Sequence, residues 1–303
     1  MNRVSESRDQ PTSTRVGDAV KSTPTMHGCN VIRVGALAIT LGIGAAMTAT
    51  PAVASATPSD SNASNASSSA VHTGPNISVS TNGVTRVQKG TATAISDGKG
   101  SIAVAHGIDS TAVAGNTRCE VCTVTGHNKA IVNGNNSTAV ASDGSYNTAI
   151  VKGDNSEARA DNGSNNTAAV IGDFGYASAG AGNNNTAVVV GDHDSAFALV
   201  GSNDTATVVG DHSAANAFIG SNDTAIVNGD NSSAFAGIGD KNSATTIGDT
   251  SHASAGGTVI DGANVFGSND TASATGPNSI AVAGQPGDGY TAAAGPNETV
   301  TNP

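Results

Sequence analysis

The sequence predicts an all-β fold, a parallel β-solenoid or β-roll with 19-residue coils, each coil carrying two short strands and two Gly-led turns around a thin Ala/Val core. Three observations predict it. A Gly-Asp pair recurs every nineteen residues, at Gly153-Asp154, Gly172-Asp173, Gly191-Asp192, Gly210-Asp211, Gly229-Asp230 and Gly248-Asp249. Alanine keeps the same period from Ala130 through Ala149, Ala168, Ala187, Ala206 and Ala225 to Ala244, and an Ala-x-Ala pair does so from Ala139 and Ala141 to Ala253 and Ala255. Between the glycines, which fall every nine or ten residues, the apolar period is two, and that excludes a helix.

Composition agrees. The 303 residues include no Trp and only 3% aromatics, too little bulk for a conventional core. A net charge of −11 excludes nucleic acid as a partner; the carboxylates suit cations or solubility.

The chain divides into four stretches. Residues 1–56 read as a signal peptide with a long n-region. Its apolar stretch, Val34 to Met47, is short for a bilayer span and ends in Ala52-Val53-Ala54 and Ala54-Ser55-Ala56, both A-x-A cleavage patterns. A start at Met26 would leave a signal of ordinary length. The Ala/Pro/Ser-rich cleavage region resembles those of actinobacterial exported proteins. Residues 57–77 form a Ser/Asn/Ala-rich linker with little apolar surface to offset ordering entropy. Residues 78–257 carry the solenoid repeats, and 258–303 read as irregular C-terminal arcs and a tail. No integral membrane segment is expected in the mature chain. Cys119 and Cys122, spaced C-x-x-C in an exported chain, are expected to close a short structural disulfide.

One coil shows the design. Thr186 to Val190 is a strand, Gly191 to Asp194 a turn, Ser195 to Val200 a second strand, and Gly201 to Asp204 a second turn. Alternation puts Ala187 and Val189 inside, with Thr186, Val188 and Val190 outside. Ala196 and Ala198 face in, opposite Phe197 and Leu199. With alanine on both inner walls the sheets must approach closer than the ~10 Å usual for stacked sheets.

Two outer columns carry the candidate chemistry. Asp154, Asp173, Asp192, Asp211, Asp230 and Asp249 stack one strand spacing apart, where like charges repel by ~1 kcal/mol in water-like dielectric. Calcium between turns would offset that, and half-coils of nine and ten residues resemble calcium-binding nonapeptide rolls, although the G-G-x-G-x-D signature is absent. Capping of backbone N–H groups would offset it too, and Asn116 and Asn135 at earlier column positions fit a cap. The second column is the outward file Thr148, Thr167, Thr186, Thr205 and Thr224, flanked by aliphatic residues including Val188 and Ile226. This face is read as an interaction face that packs against another copy, as a homo-oligomer or laterally, or against a surface or matrix ligand. Flat Thr ladders also serve ice-binding proteins, but T-x-T occurs in these files only at Thr205/Thr207.

The rest is weaker. His193 and His212 share a column without further ligands, and no Ser/His/Asp set with supporting context can be assigned. Sequons such as Asn165-Asn166-Thr167 and Asn203-Asp204-Thr205 follow from turn chemistry.

Ser101-Ile102-Ala103-Val104-Ala105-His106-Gly107 and Asn278-Ser279-Ile280-Ala281-Val282-Ala283-Gly284 resemble the S-x-A-x-G arcs of trimeric autotransporter adhesin heads. The half-coils here are longer than that family's arcs. The resemblance implies a parallel β-roll of small residues that self-associates and binds host or matrix surfaces. The expected function is therefore a secreted or cell-surface, non-catalytic repeat protein with a structural or adhesive role. A calcium-stabilised extracellular roll (Ca2+) is the second expectation and ice binding the third.

Overall fold

The computed structural model describes residues 74–115, 126–260, 263–284 and 287–302. The expected signal peptide and the Cys119–Cys122 pair lie outside the described residues.

The fold is an all-β parallel solenoid of about ten coils, with twenty-five strands and no helix among the described residues. Each coil gives one strand to a twelve-stranded sheet and the next to an eleven-stranded sheet. The twelve-stranded sheet starts at its edge with β2 (Val84–Lys89), then β1 (Ile77–Thr81) and β4 (Ile102–His106), and ends at Thr291–Ala294. The eleven-stranded sheet runs from β3 (Thr93–Ser96) through β5 (Thr111–Ala114) to Thr299–Asn302. Successive coils pair in parallel with like opposite like: Thr167 with Thr186, Thr186 with Thr205, Thr205 with Thr224. Backbone bonds continue round the turns, as in Gly191 N–H to Ile171 O (3.0 Å) and His193 N–H to Asp173 O (3.0 Å), so the coil is stitched to its neighbour around its perimeter.

The core is built from the small residues that the alternation places inside. Ala187, Val189, Ala196 and Ala198 are fully buried, and the valines from Val132 to Val227 are the largest apolar side chains to be so. Several coils depart from the pattern: Ala105, Ala274 and Ala294 stand at the valine position in three of them, and another coil is polar there. Thr246 replaces the valine, and its hydroxyl donates to Ser233 O at 2.9 Å, which removes the cost of an unpaired buried oxygen.

Two features were not expected. First, the N-terminal run does not form an ordinary coil. β1 pairs antiparallel with both β2 and β4, with a register shift between Val79 and Ser80. Its Ser78 and Ser80 hydroxyls accept the amides of Ala94 (3.0 Å) and Ser96 (3.2 Å), closing the open edge of β3. β2 is exposed along its length and carries Arg86 and Lys89, charges that discourage a further strand.

Second, the arcs after Gly257, though uneven in spacing, continue the two sheets of the solenoid. Ser243 pairs with Thr271, 28 positions on, and Thr271 with Thr291, 20 positions on. The nine extra residues in the first interval hold an antiparallel hairpin, Thr258–Ile260 with Ala263–Val265, after which the coil resumes in phase. The pairing of Ile102 with Lys129, 27 positions apart, marks an excess of eight at the same corner.

The turns impose their own demands. At the first corner Gly191 has φ 139°, and a Cβ there would overlap the carbonyl oxygen of Gly210 in the next coil. At the second corner the position before the glycine is left-handed in six consecutive coils, at Asp143, Asn162, Ala181, Val200, Ile219 and Ile238. Asp and Asn tolerate this conformation; β-branched residues do not. Two outcomes are expected. Gly191→Ala should destabilise by about 2–4 kcal/mol. Val200→Asn should stabilise by about 1 kcal/mol in urea unfolding, because Val200 is 48% exposed and loses little burial.

Candidate functional site

The outer face of the twelve-stranded sheet brings together most of the residues singled out from sequence. Thr148, Thr167, Thr186, Thr205 and Thr224 form one file across adjacent strands. Ile150, Ala169, Val188, Thr207 and Ile226 form the next, and Lys152, Ile171, Val190, Val209 and Asn228 a third. Threonines in the first file are half-buried by their neighbours; Val209 and Ile226 are exposed. β-Branched side chains favour this setting, since each packs on the copy above and below. The face is therefore a flat grid of methyl groups bordered by hydroxyls, with little charge.

The Asp column sits at the first corner. Each carboxylate is occupied by backbone: Asp154 Oδ1 accepts the amide of Asn135 (2.7 Å), Asp173 that of Asp154 (2.7 Å), and Asp192 that of Asp173 (2.7 Å). Asp211, Asp230 and Asp249 repeat the bond at 2.9–3.0 Å. An N–H dipole thus lies between successive charges, which offsets their repulsion without an ion. Asn135 does the same for Ile108, so the cap needs an acceptor oxygen and not a charge. Asn116 lies outside the described residues, and the insertion makes Ile108 the column's preceding position. Among the described residues no three His, Cys, Asp or Glu side chains are grouped to hold a metal ion.

Behind each corner runs a buried polar ladder that the sequence reading missed. At the second corner Asn128, Asn147, Asn166, Asn185, Asp204, Asp223, Asn242 and Asp270 stack, all essentially unexposed. Each Oδ1 accepts the amide of the next member, as Asn166 does from Asn185 (3.0 Å) and Asn185 from Asp204 (3.0 Å). In Asn147, Asn166, Asn185 and Asn242 the Nδ2 also donates to two carbonyls, for Asn185 those of Gly180 (3.0 Å) and Gly201 (3.1 Å). The signal was present: the residue before the outward Thr is always Asn or Asp in these coils, and a one-residue step in a strand reverses the face.

At the first corner the inner ladder is mostly serine. Ser156 donates to Asp154 O (3.0 Å) and Gly172 O (2.8 Å) and accepts the Gly175 amide (3.1 Å). Asp194 replaces serine there. Its Oδ1 accepts from Ser213 (2.6 Å) while Oδ2 is buried without a partner, and burial pushes its carboxyl up to about 6.

The outer face of the eleven-stranded sheet varies from coil to coil. Arg159 reaches Glu157 (3.3 Å) and Asp161 (3.5 Å), and the Tyr176 and Phe197 rings lie 5.3 Å apart. Ser233 Oγ meets His252 Nδ1 at 2.7 Å, and burial pushes that imidazole below its usual range. No carboxylate orients the ring among the described hydrogen bonds, so the pair is a register neighbour of one file. Phe174, His193 and His212 stack along the first corner with centroids 4.8 and 4.9 Å apart, held by the left-handed backbone position each shares.

Comparison of the chain with protein-family models, curated proteins and solved structures finds no match.

The cap geometry separates the two expectations for the Asp column. Asp192→Asn keeps the acceptor oxygen and should leave the thermal melt unchanged, whereas Asp192→Ala should lower it by about 2–4 °C. Melts in calcium and in EGTA should coincide; a calcium-dependent rise abolished by both variants would instead mark a metal ladder.

Proposed function

We propose that this chain is a secreted or cell-surface repeat protein with a structural or adhesive role and without catalysis, working through the outer face of its twelve-stranded sheet. One observation carries the reading: Thr148, Thr167, Thr186, Thr205 and Thr224 stand in register on that face with aliphatic residues at most positions of the two files beside them, whereas the opposite outer face has a different residue at each step. Packing on the coils above and below favours threonine in such a file, and a second surface laid across it would meet the same hydroxyl and methyl groups in each of these coils. A second copy of the same sheet has matching spacing along its whole length, and lateral packing would cover Val188, Val209 and Ile226 together. The likeness of the small-residue arcs to adhesin heads supports the same role, as does the export-type N-terminus.

The test is association state. The full mature chain should sediment as an oligomer, and Val188→Lys combined with Ile226→Lys should reduce it to monomer. The melt should stay within about 2 °C, because both side chains point outward. A folded double variant of unchanged mass would remove this face from the function.

A further inference from the structure

The second-corner ladder changes chemistry along its length. In most described coils its member is asparagine, with an acceptor oxygen toward the next coil and a donor nitrogen toward two carbonyls: Asn166 Nδ2 to Asp161 O (3.2 Å) and Gly182 O (2.9 Å), Asn242 Nδ2 to Gly237 O (3.3 Å) and Gly267 O (2.9 Å). At Asp204, Asp223 and Asp270 the donor nitrogen is replaced by a carboxyl oxygen. The acceptor half is kept, since their Oδ1 atoms take the amides of Asp223 (3.0 Å), Asn242 (2.8 Å) and Tyr290 (2.7 Å).

The other half is not satisfied. Oδ2 of all three is buried with no hydrogen-bond partner, and the residues are fully unexposed. It points where the asparagines point. A Cβ added to Gly201 would meet both Asp204 Oδ2 and Gly220 O, and one added to Gly220 both Asp223 Oδ2 and Gly239 O. An ionised oxygen facing a carbonyl oxygen has no attractive partner, and each such site would cost several kcal/mol.

We infer that Asp204, Asp223 and Asp270 are proton-binding sites of the folded array, each held as the carboxylic acid whose single Oδ2–H donates to one of the two carbonyls that asparagine serves in neighbouring coils. A proton fits where a metal does not. Calcium needs six to eight oxygens at about 2.3–2.6 Å, whereas the neighbouring coils close this gap with a single nitrogen at 2.9–3.3 Å from each carbonyl.

The electrostatic surroundings act in the same direction. Burial pushes the Asp204 carboxyl up to about 6 and that of Asp223 up to about 7, against the lowering effect of the amides they accept; Asp270 is raised by the same cause. The charged groups facing them are carboxylates: Asp240 toward Asp204 and Asp223, Asp204 toward Asp223, and Asp288 toward Asp270. Exposed Lys241 is the cation on the turn below Asp223, while the intervening turns 182–184, 201–203 and 220–222 and the strand ends Leu199, Phe218 and Gly237 are uncharged.

The sign follows from linkage. An unfolded aspartate titrates near 3.9 and the folded ones higher, so the folded array holds more protons between about pH 4 and 7. Stability from these sites is complete below the unfolded value and is lost as pH rises through the folded values. The array is tightened by acid.

The experiment compares the full chain with Asp204→Asn/Asp223→Asn, a change to the residue that other coils already use. The wild-type melting temperature should fall by about 5–10 °C relative to the double variant between pH 5 and pH 8. The gap should be smallest at about pH 4, where the unfolded aspartates take up protons as well. At pH 5.5 the infrared band of protonated carboxylic acid should be present in the wild type and reduced in the variant. Parallel melting curves across this range would overturn the assignment. So would a wild-type melt at pH 8 that calcium raises and EGTA reverses while the variant responds to neither, since that would make the ligand a cation.

Discussion

In the described coils the inward positions and the outward Thr file lie on copies of themselves. Parallel pairing fixes one path for all coils, and from that constraint most of the structure follows. A side chain that fits its own kind at one strand spacing can repeat without limit; one that repels its kind needs a device between copies. Alanine and valine inside, and threonine outside, belong to the first class. The shared path also explains why the inner residues stay small: any enlargement of one would have to be accommodated in the coils above and below as well.

Polar residues belong to the second class, and three devices solve the problem. Asparagine carries both donor and acceptor, so a stack of asparagines bonds to backbone without residue. Serine does the same with one rotating hydroxyl. The surface aspartates use an intervening amide, leaving their second oxygen to water. Aspartate inside the array has no such outlet, and only a proton restores the pairing that asparagine has by construction. A single amide-to-acid change, silent in a surface turn, thus becomes a titrating element once the same position faces inward.

Much of this was legible in the sequence. Strand positions, the inward alanines from Ala130 to Ala255 and the outward Thr file follow from alternation between fixed glycines, because period two and a nineteen-residue repeat admit few other folds. The inner ladder was not, because Asn and Asp beside glycine are also what a solvent-exposed turn prefers, and only the coordinates distinguish Asn184 at the surface from Asn185 inside. The coils after Gly257 were hidden by a register that slips by nine residues and recovers. The antiparallel cap was hidden for a different reason: Ile77 to Thr81 alternates like any coil strand, and direction of pairing leaves no trace in alternation.

Both places where the coil lengthens lie at the same corner, between a strand of the eleven-stranded sheet and the next strand of the twelve-stranded one. The spacing between paired positions exceeds nineteen after Gly115 and again after Gly257, and the next strands to rejoin the twelve-stranded sheet begin at Lys129 and Thr271. Seven coil steps separate those two rejoining strands in the sheet order, a separation of about 34 Å at ordinary strand spacing. The coils between them keep a single register. Adding or deleting a coil would change the separation of those two strands in steps of about 4.8 Å.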